Sequence, residues 1–198
     1  MKKFRLFYSI TLLVGASLLG VTGVASAASS TAPPTQGHRV YATLKVTGFD
    51  AAVARKNGYQ VRTDAAGHQY PVKVTRAGIA ESLVTPQDSL TCGGAYINYE
   101  AAGNKKAWVY SGWFLNPGLT ADYFYWRIPV TDNAGVGERY WYDPLAAATS
   151  WYIPTGWLTT HSVTGYSWAE VSFGQITLTN GDICEVPPGA LWASTTLY

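Results

Sequence analysis

Charge is scarce in this chain: Lys, Arg, Asp and Glu together make up 13% of its 198 residues. Three of the 14 basic residues, Lys2, Lys3 and Arg5, precede the apolar run from Leu6 to about Val24. That leaves 11 against 12 acids in the rest of the chain, a net charge of −1 instead of +2 once the leader is removed. Beyond the leader no basic cluster exceeds Arg55-Lys56 or Lys105-Lys106. Nucleic acid is therefore excluded as an expected partner, because phosphate binding needs a concentrated positive field.

Histidine and cysteine are also few. The three histidines, His38, His68 and His161, accompany no Gly-x-Ser-x-Gly elbow. Each is expected at the surface, and a nucleophile-His-acid triad is not expected. Two cysteines, Cys92 and Cys184, cannot build a zinc site without histidine at ligand spacing. In a secreted chain they are expected to form a disulfide closing a loop of about 90 residues. Asp132-Asn133-Ala134-Gly135 with Glu138 nearby holds oxygen ligands, but lacks EF-hand spacing and reads as a turn. Neither a metal nor a cofactor is expected.

The one long hydrophobic run is N-terminal. A basic start, an apolar stretch and Ala25-Ser26-Ala27 make a signal peptide over 1–27, cleaved after Ala27. The mature protein is expected to be secreted, extracellular, without a membrane anchor, and monomeric. Residues 28–37 (ASSTAPPTQG) read as a flexible lead-in, and 38–198 as one domain.

Against these scarcities stand 8 Trp, 14 Tyr and 6 Phe. Much of the aromatic content alternates with other residues in short bursts. From 38 onward, period-two patterning predicts nine to eleven short strands, including 92–100, 106–115, 122–130, 138–142, 150–153 and 157–163. A single short helix near 50–57 is expected between the cap Asp50 and the stop Asn57-Gly58. In 168–178 the apolar phase changes from odd (Ala169, Val171, Phe173) to even (Ile176, Leu178), which predicts a bulge at Gly174-Gln175. The fold class is all-β: a two-sheet antiparallel β-sandwich, jelly-roll-like, with one disulfide.

Aliphatics are too few for a core of this size, so most aromatics are expected inside, among them Trp108, Tyr110, Phe114, Trp126 and Phe173. Strand parity sends another set outward: Tyr41, Tyr96, Tyr123, Tyr125 and Trp168. Polar groups two residues away accompany several of them, namely Asn98 and Glu100, Arg127, and Glu170. Flat rings flanked by hydrogen-bonding groups suit sugar rings. The candidate binding residues are therefore Tyr96, Asn98, Glu100, Tyr123, Tyr125, Arg127, Trp168 and Glu170, and the expected function is non-catalytic binding of an extracellular glycan or cell-wall polymer.

In style the chain resembles the small jelly-roll xylanases, which are secreted, compact and rich in Trp, Tyr and Gly. That resemblance implies a glycoside hydrolase with two catalytic glutamates, for which Glu100 and Glu170 are the candidates. The xylanase glutamates stand in Glu-Tyr-Tyr and Glu-Gly-Tyr, whereas here the contexts are Glu100-Ala101-Ala102 and Glu170-Val171-Ser172. The resemblance thus stops at composition. A third class, a protein-interaction or inhibitor-type product, would use the loops at 79–89 and 143–150.

Overall fold

Alternation along the first strand, β1 (Val40–Phe49), buries Leu44 and half-buries Val40, Ala42 and Val46, while Tyr41, Thr43 and Lys45 face solvent. This computed structural model describes residues 39–74, 80–81 and 91–198. The leader and lead-in expected at 1–37 and most of the loop expected at 79–89 lie outside the described residues. The chain divides into two units, Met1–Pro34 and Thr35–Tyr198, and everything below concerns the second.

Asp50 caps the helix α1 (Ala51–Lys56), its carboxylate accepting the N–H groups of Ala52 and Val53 at 2.8 and 3.0 Å. Gly58, at φ +84°, takes the chain out of it. The strands β2 (Tyr59–Thr63), β3 (Gln69–Val74) and β4 (Ala80–Glu81) then form a small antiparallel sheet.

All remaining strands join β1 in one large sheet. They are β5 (Thr91–Gly103), β6 (Lys106–Leu115), β7 (Ala121–Asp132), β8 (Gly135–Ala148), β9 (Ser150–Tyr152), β10 (Trp157–Thr160), β11 (Gly165–Glu170), β12 (Phe173–Leu178), β13 (Asp182–Glu185) and β14 (Trp192–Leu197). The order is β10-β6-β5-β1-β13-β12-β7-β11-β14, with β8 on β7 and β9 on β6. This sheet coils back until its halves meet face to face: Trp113 of β6 lies 5.8 Å from Phe124 of β7, and Phe124 lies 4.6 Å from Trp151 of β9, ring centre to ring centre. The fold is all-β and sandwich-like, with a core built on Leu44, Ile97, Val109, Trp113, Phe124, Trp126, Ile128 and Ile176.

Cys92 and Cys184 form a disulfide. They lie on β5 and β13, the two neighbours of β1, and both are buried.

Two expectations about phase are corrected. On β6 the core-facing residues are Ala107, Val109, Ser111, Trp113 and Leu115, with Gly112 buried on the other side, so Trp108, Tyr110 and Phe114 point outward. A buried serine, whose hydroxyl donates to the Tyr96 carbonyl and accepts the indole N–H of Trp126, hides the true core phase. In 168–178 the phase change is a strand break, not a bulge at Gly174-Gln175. β11 and β12 occupy one edge of β7 in succession, and the chain steps between them at Val171-Ser172. Phe173 consequently lies outside, 46% exposed.

Candidate functional site

Parity along β7 sends Phe124, Trp126, Ile128 and Val130 into the core and leaves Tyr123, Tyr125 and Arg127 on the outer face. The β7–β8 ladder sets Tyr142 opposite Tyr125 and Tyr140 opposite Arg127, and the β7–β12 ladder sets Phe173 opposite Arg127. Five rings from three adjacent strands therefore form one surface cluster. Tyr125 and Tyr142 stack at 4.4 Å with planes 28° apart, and are 42% and 57% exposed. Tyr123 stands 6.0 Å from Tyr125 and 6.4 Å from Tyr142, and Phe173 lies 6.5 Å from Tyr125.

Arg127, Glu138, Tyr140 and Gln175 on this face are paired. Arg127 donates from Nε (2.9 Å) and Nη2 to Glu138 Oε2, and the Tyr140 hydroxyl donates to Glu138 Oε1. These bonds, Tyr140 first and Arg127 second, hold the Glu138 carboxyl below its ordinary range. Gln175, opposite Tyr125, donates to Glu185 at 2.7 Å.

The predicted binding residues divide into three places. Tyr123, Tyr125 and Arg127 belong to the cluster just described. Trp168 and Glu170 project from the same outer side further along, since Trp168 pairs with Thr131, four residues past Arg127 on β7 and about 13 Å along the strand. Tyr96, Asn98 and Glu100 lie on β5, on the outer face of the other layer. There Tyr96 sits 6.2 Å from Tyr41 with the Arg39 guanidinium 5.0 Å from its ring centre, and partial burial pushes its hydroxyl pKa up. Asn98 is buried and donates to Glu100 Oε1 at 2.6 Å. Glu100 and Glu170 are each half-buried among their own strand neighbours, Trp108 for the first and Trp192 for the second. Glu100 thus stands on β5 and Glu170 on β11, strands that do not pair with one another.

Sequence reasoning missed Tyr140, Tyr142 and Phe173 as members of the outer cluster. The alternation Tyr140-Trp141-Tyr142 carried the signal for two of them, because Trp141 pairs with the buried Trp126.

It also misjudged His161, expected at the surface, whose side chain is only 5% exposed. Nδ1 lies 2.7 Å from Asp132 Oδ2, while Nε2 lies 2.8 Å from Thr159 Oγ1 and 3.0 Å from the Tyr99 hydroxyl. Thr159 gives its own proton to the Ala107 carbonyl. Ser167 gives its proton to the Thr131 carbonyl and so accepts from Tyr99. Both hydroxyl oxygens next to Nε2 are thereby left as acceptors. The distances copy an acid-His-hydroxyl triad, but Thr159 directs its proton at the Ala107 carbonyl and not at His161. The group is a buried clasp between β5, β7, β10 and β11, beside a surface cavity of about 330 Å³ that Asp132, Val136, Trp157, Thr159 and His161 help to line.

Asp132 Oδ1 accepts the N–H groups of Ala134 and Gly135, the turn that the sequence predicts here. Among the described residues no group of three His, Cys, Asp or Glu side chains converges on a metal position, and no helix is long and apolar enough to cross a membrane. Compared with protein-family models, curated proteins and solved structures, the chain matches none of them.

Proposed function

We propose that this protein is a non-catalytic extracellular binding module for a glycan or cell-wall polymer, and that the ligand lies on the outer face of β8, β7 and β12. The observation that carries this reading is the solvent-facing ring cluster of Tyr123, Tyr125, Tyr140, Tyr142 and Phe173, with the Tyr125–Tyr142 stack at its centre. Monomeric proteins rarely leave contiguous apolar surface uncovered unless something binds there. Tyrosine suits this use because its ring offers an apolar face and its hydroxyl a hydrogen bond. Secretion after cleavage behind Ala27 agrees with a disulfide-bonded chain, since such bonds persist in oxidising compartments.

Protein recovered from culture medium, with its N-terminus expected at Ala28, is the material for the test. It is passed over immobilised plant and cell-wall polysaccharides, and retention and released sugar are scored separately. Retention without release is expected. The double substitution Tyr125→Ala/Tyr142→Ala is expected to weaken retention at least about tenfold, a loss of roughly 1.4 kcal/mol. Tyr96→Ala, on the other layer, is expected to leave it unchanged. Full retention by the double variant would sink the assignment to this face.

A further inference from the structure

We infer that the ligand of this face is an uncharged, single, solvated polysaccharide chain, and neither a polyanion nor the face of a crystalline polymer. The inference rests on the proposed binding function and narrows its ligand by ring geometry and charge.

Ring geometry speaks first. A crystalline polysaccharide presents a flat plane, and aromatic side chains grip it only by lying in one plane themselves. Here Tyr123 stands at 85° to Tyr125 and 57° to Tyr142, and Phe173 at 66° to Tyr125. Only Tyr125 and Tyr142 are near parallel, and they cover one face of each other. Rings tilted this steeply cannot all meet a plane, but they can line the sides of one chain that bends among them.

Charge speaks second. The charged groups nearest the cluster are engaged, Arg139 by stacking its guanidinium 5.3 Å from the Trp141 ring centre and the others by opposite charge. Arg127 is held by Glu138 through two donors, Lys56 lies 3.1 Å from Asp122 beside Tyr123, and Lys45 stands in register with Glu185 on the neighbouring strands. A polyanion such as a polyuronate or teichoic acid needs a free guanidinium or ammonium to repay the loss of its hydration and counterions. The one guanidinium inside the cluster already donates to a carboxylate. What remains for a ligand is ring surface and the hydroxyls of Tyr123, Tyr125 and Tyr142, which is the chemistry that recognises hydroxylated, uncharged sugars.

The test compares three classes of polymer with the mature protein. Titration calorimetry is run on soluble neutral polysaccharides (arabinoxylan and mixed-linkage β-glucan) and on polyanions (polygalacturonate and wall teichoic acid), from about 0.05 to about 0.5 M NaCl. Pull-down is run on microcrystalline cellulose and crystalline chitin. Saturable binding to a soluble neutral polymer is expected, with Kd changing less than about twofold over the salt range and no retention on the crystals. The Glu138→Gln variant frees Arg127, and is expected to gain salt-sensitive binding to polygalacturonate. Retention of the wild type on a crystalline polymer overturns the inference. So does wild-type binding to a polyanion that weakens about tenfold or more across the salt range. If no polymer of any class is bound, the proposed function itself fails, and this narrowing fails with it.

Discussion

At the scale of single residues, the largest gap between sequence and structure is Asp132. By sequence it opens a turn, and it does so through Oδ1, yet Oδ2 reaches a buried histidine 29 positions further along. The hydrogen bond from His161 is the main cause that holds the Asp132 carboxyl below the ordinary aspartate value of 3.8, and the turn N–H groups of Ala134 and Gly135 add to it. A carboxyl whose pKa is lower folded than unfolded contributes stability above the unfolded value and loses it as pH falls through the folded one. Wild-type stability is therefore expected to drop as pH is lowered below about 4, part of that slope belonging to Asp132. In Asp132→Asn the protein should be less stable at neutral pH and show a flatter acid limb. Urea midpoints measured from about pH 7 down to about pH 2 check both expectations, and an acid limb of unchanged slope would remove Asp132 from it. None of this was legible beforehand. Asp132, Tyr99 and Thr159 lie on separate strands, and nothing in the sequence announces that they converge on one imidazole with Ser167 behind Tyr99.

At the scale of elements, parity was readable wherever one side of a strand was uniformly apolar. β7 is such a case, with Phe124, Trp126, Ile128 and Val130 inside, so Tyr123, Tyr125 and Arg127 could be sent outward from the sequence. On β6 both phases carry aromatics, and the inner one contains Ala107 and Ser111, so hydrophobicity pointed the wrong way. The break between β11 and β12 was visible only as a change of phase, since a bulge and a change of strand leave the same trace. The structure distinguishes them, and glycine chemistry can test the result. Gly174 stands opposite Trp126 with its missing side chain aimed into the core, where an added Cβ would come 2.7 Å from Trp126 Cζ3, 2.8 Å from Val186 Cγ2 and 3.0 Å from Val171 Cγ1. Gly137 on β8 would place a Cβ with nothing within 4 Å. Gly174→Ala is therefore expected to cost about 1–3 kcal/mol by overpacking, and Gly137→Ala to cost nothing measurable or to stabilise slightly. Thermal unfolding of the two variants side by side checks this. Equal melting temperatures would mean that Gly174 does not sit under the Trp126 ring.

At the scale of the whole molecule, the sheet gives both layers of the sandwich from one coiled surface, and its closure depends on pairings between strands far apart in sequence. β1 pairs with β5 on one side and with β13 on the other, across 92 residues of chain between Cys92 and Cys184. Such long-range pairings must overcome loop-closure entropy before any burial rewards them. The disulfide ties β5 to β13 across β1, beside the register shifts at Leu44/Lys45 and Val46/Gly48, where the ladders on both sides of β1 are interrupted. Its main effect is expected in the unfolded chain, which it shortens. For a separation of 92 residues the chain-entropy model gives about 4–5 kcal/mol. Cys92→Ala/Cys184→Ala is therefore expected to lose several kcal/mol, a large part of the stability of a domain of this size. Its urea m-value should rise, because the uncrosslinked chain exposes more surface when it unfolds. The two readouts separate the causes: lost packing at two buried side chains lowers the midpoint with m unchanged, whereas release of the unfolded chain moves both. A loss below about 1 kcal/mol with constant m would show that hydrogen bonding and packing hold β5, β1 and β13 together without help from the bridge.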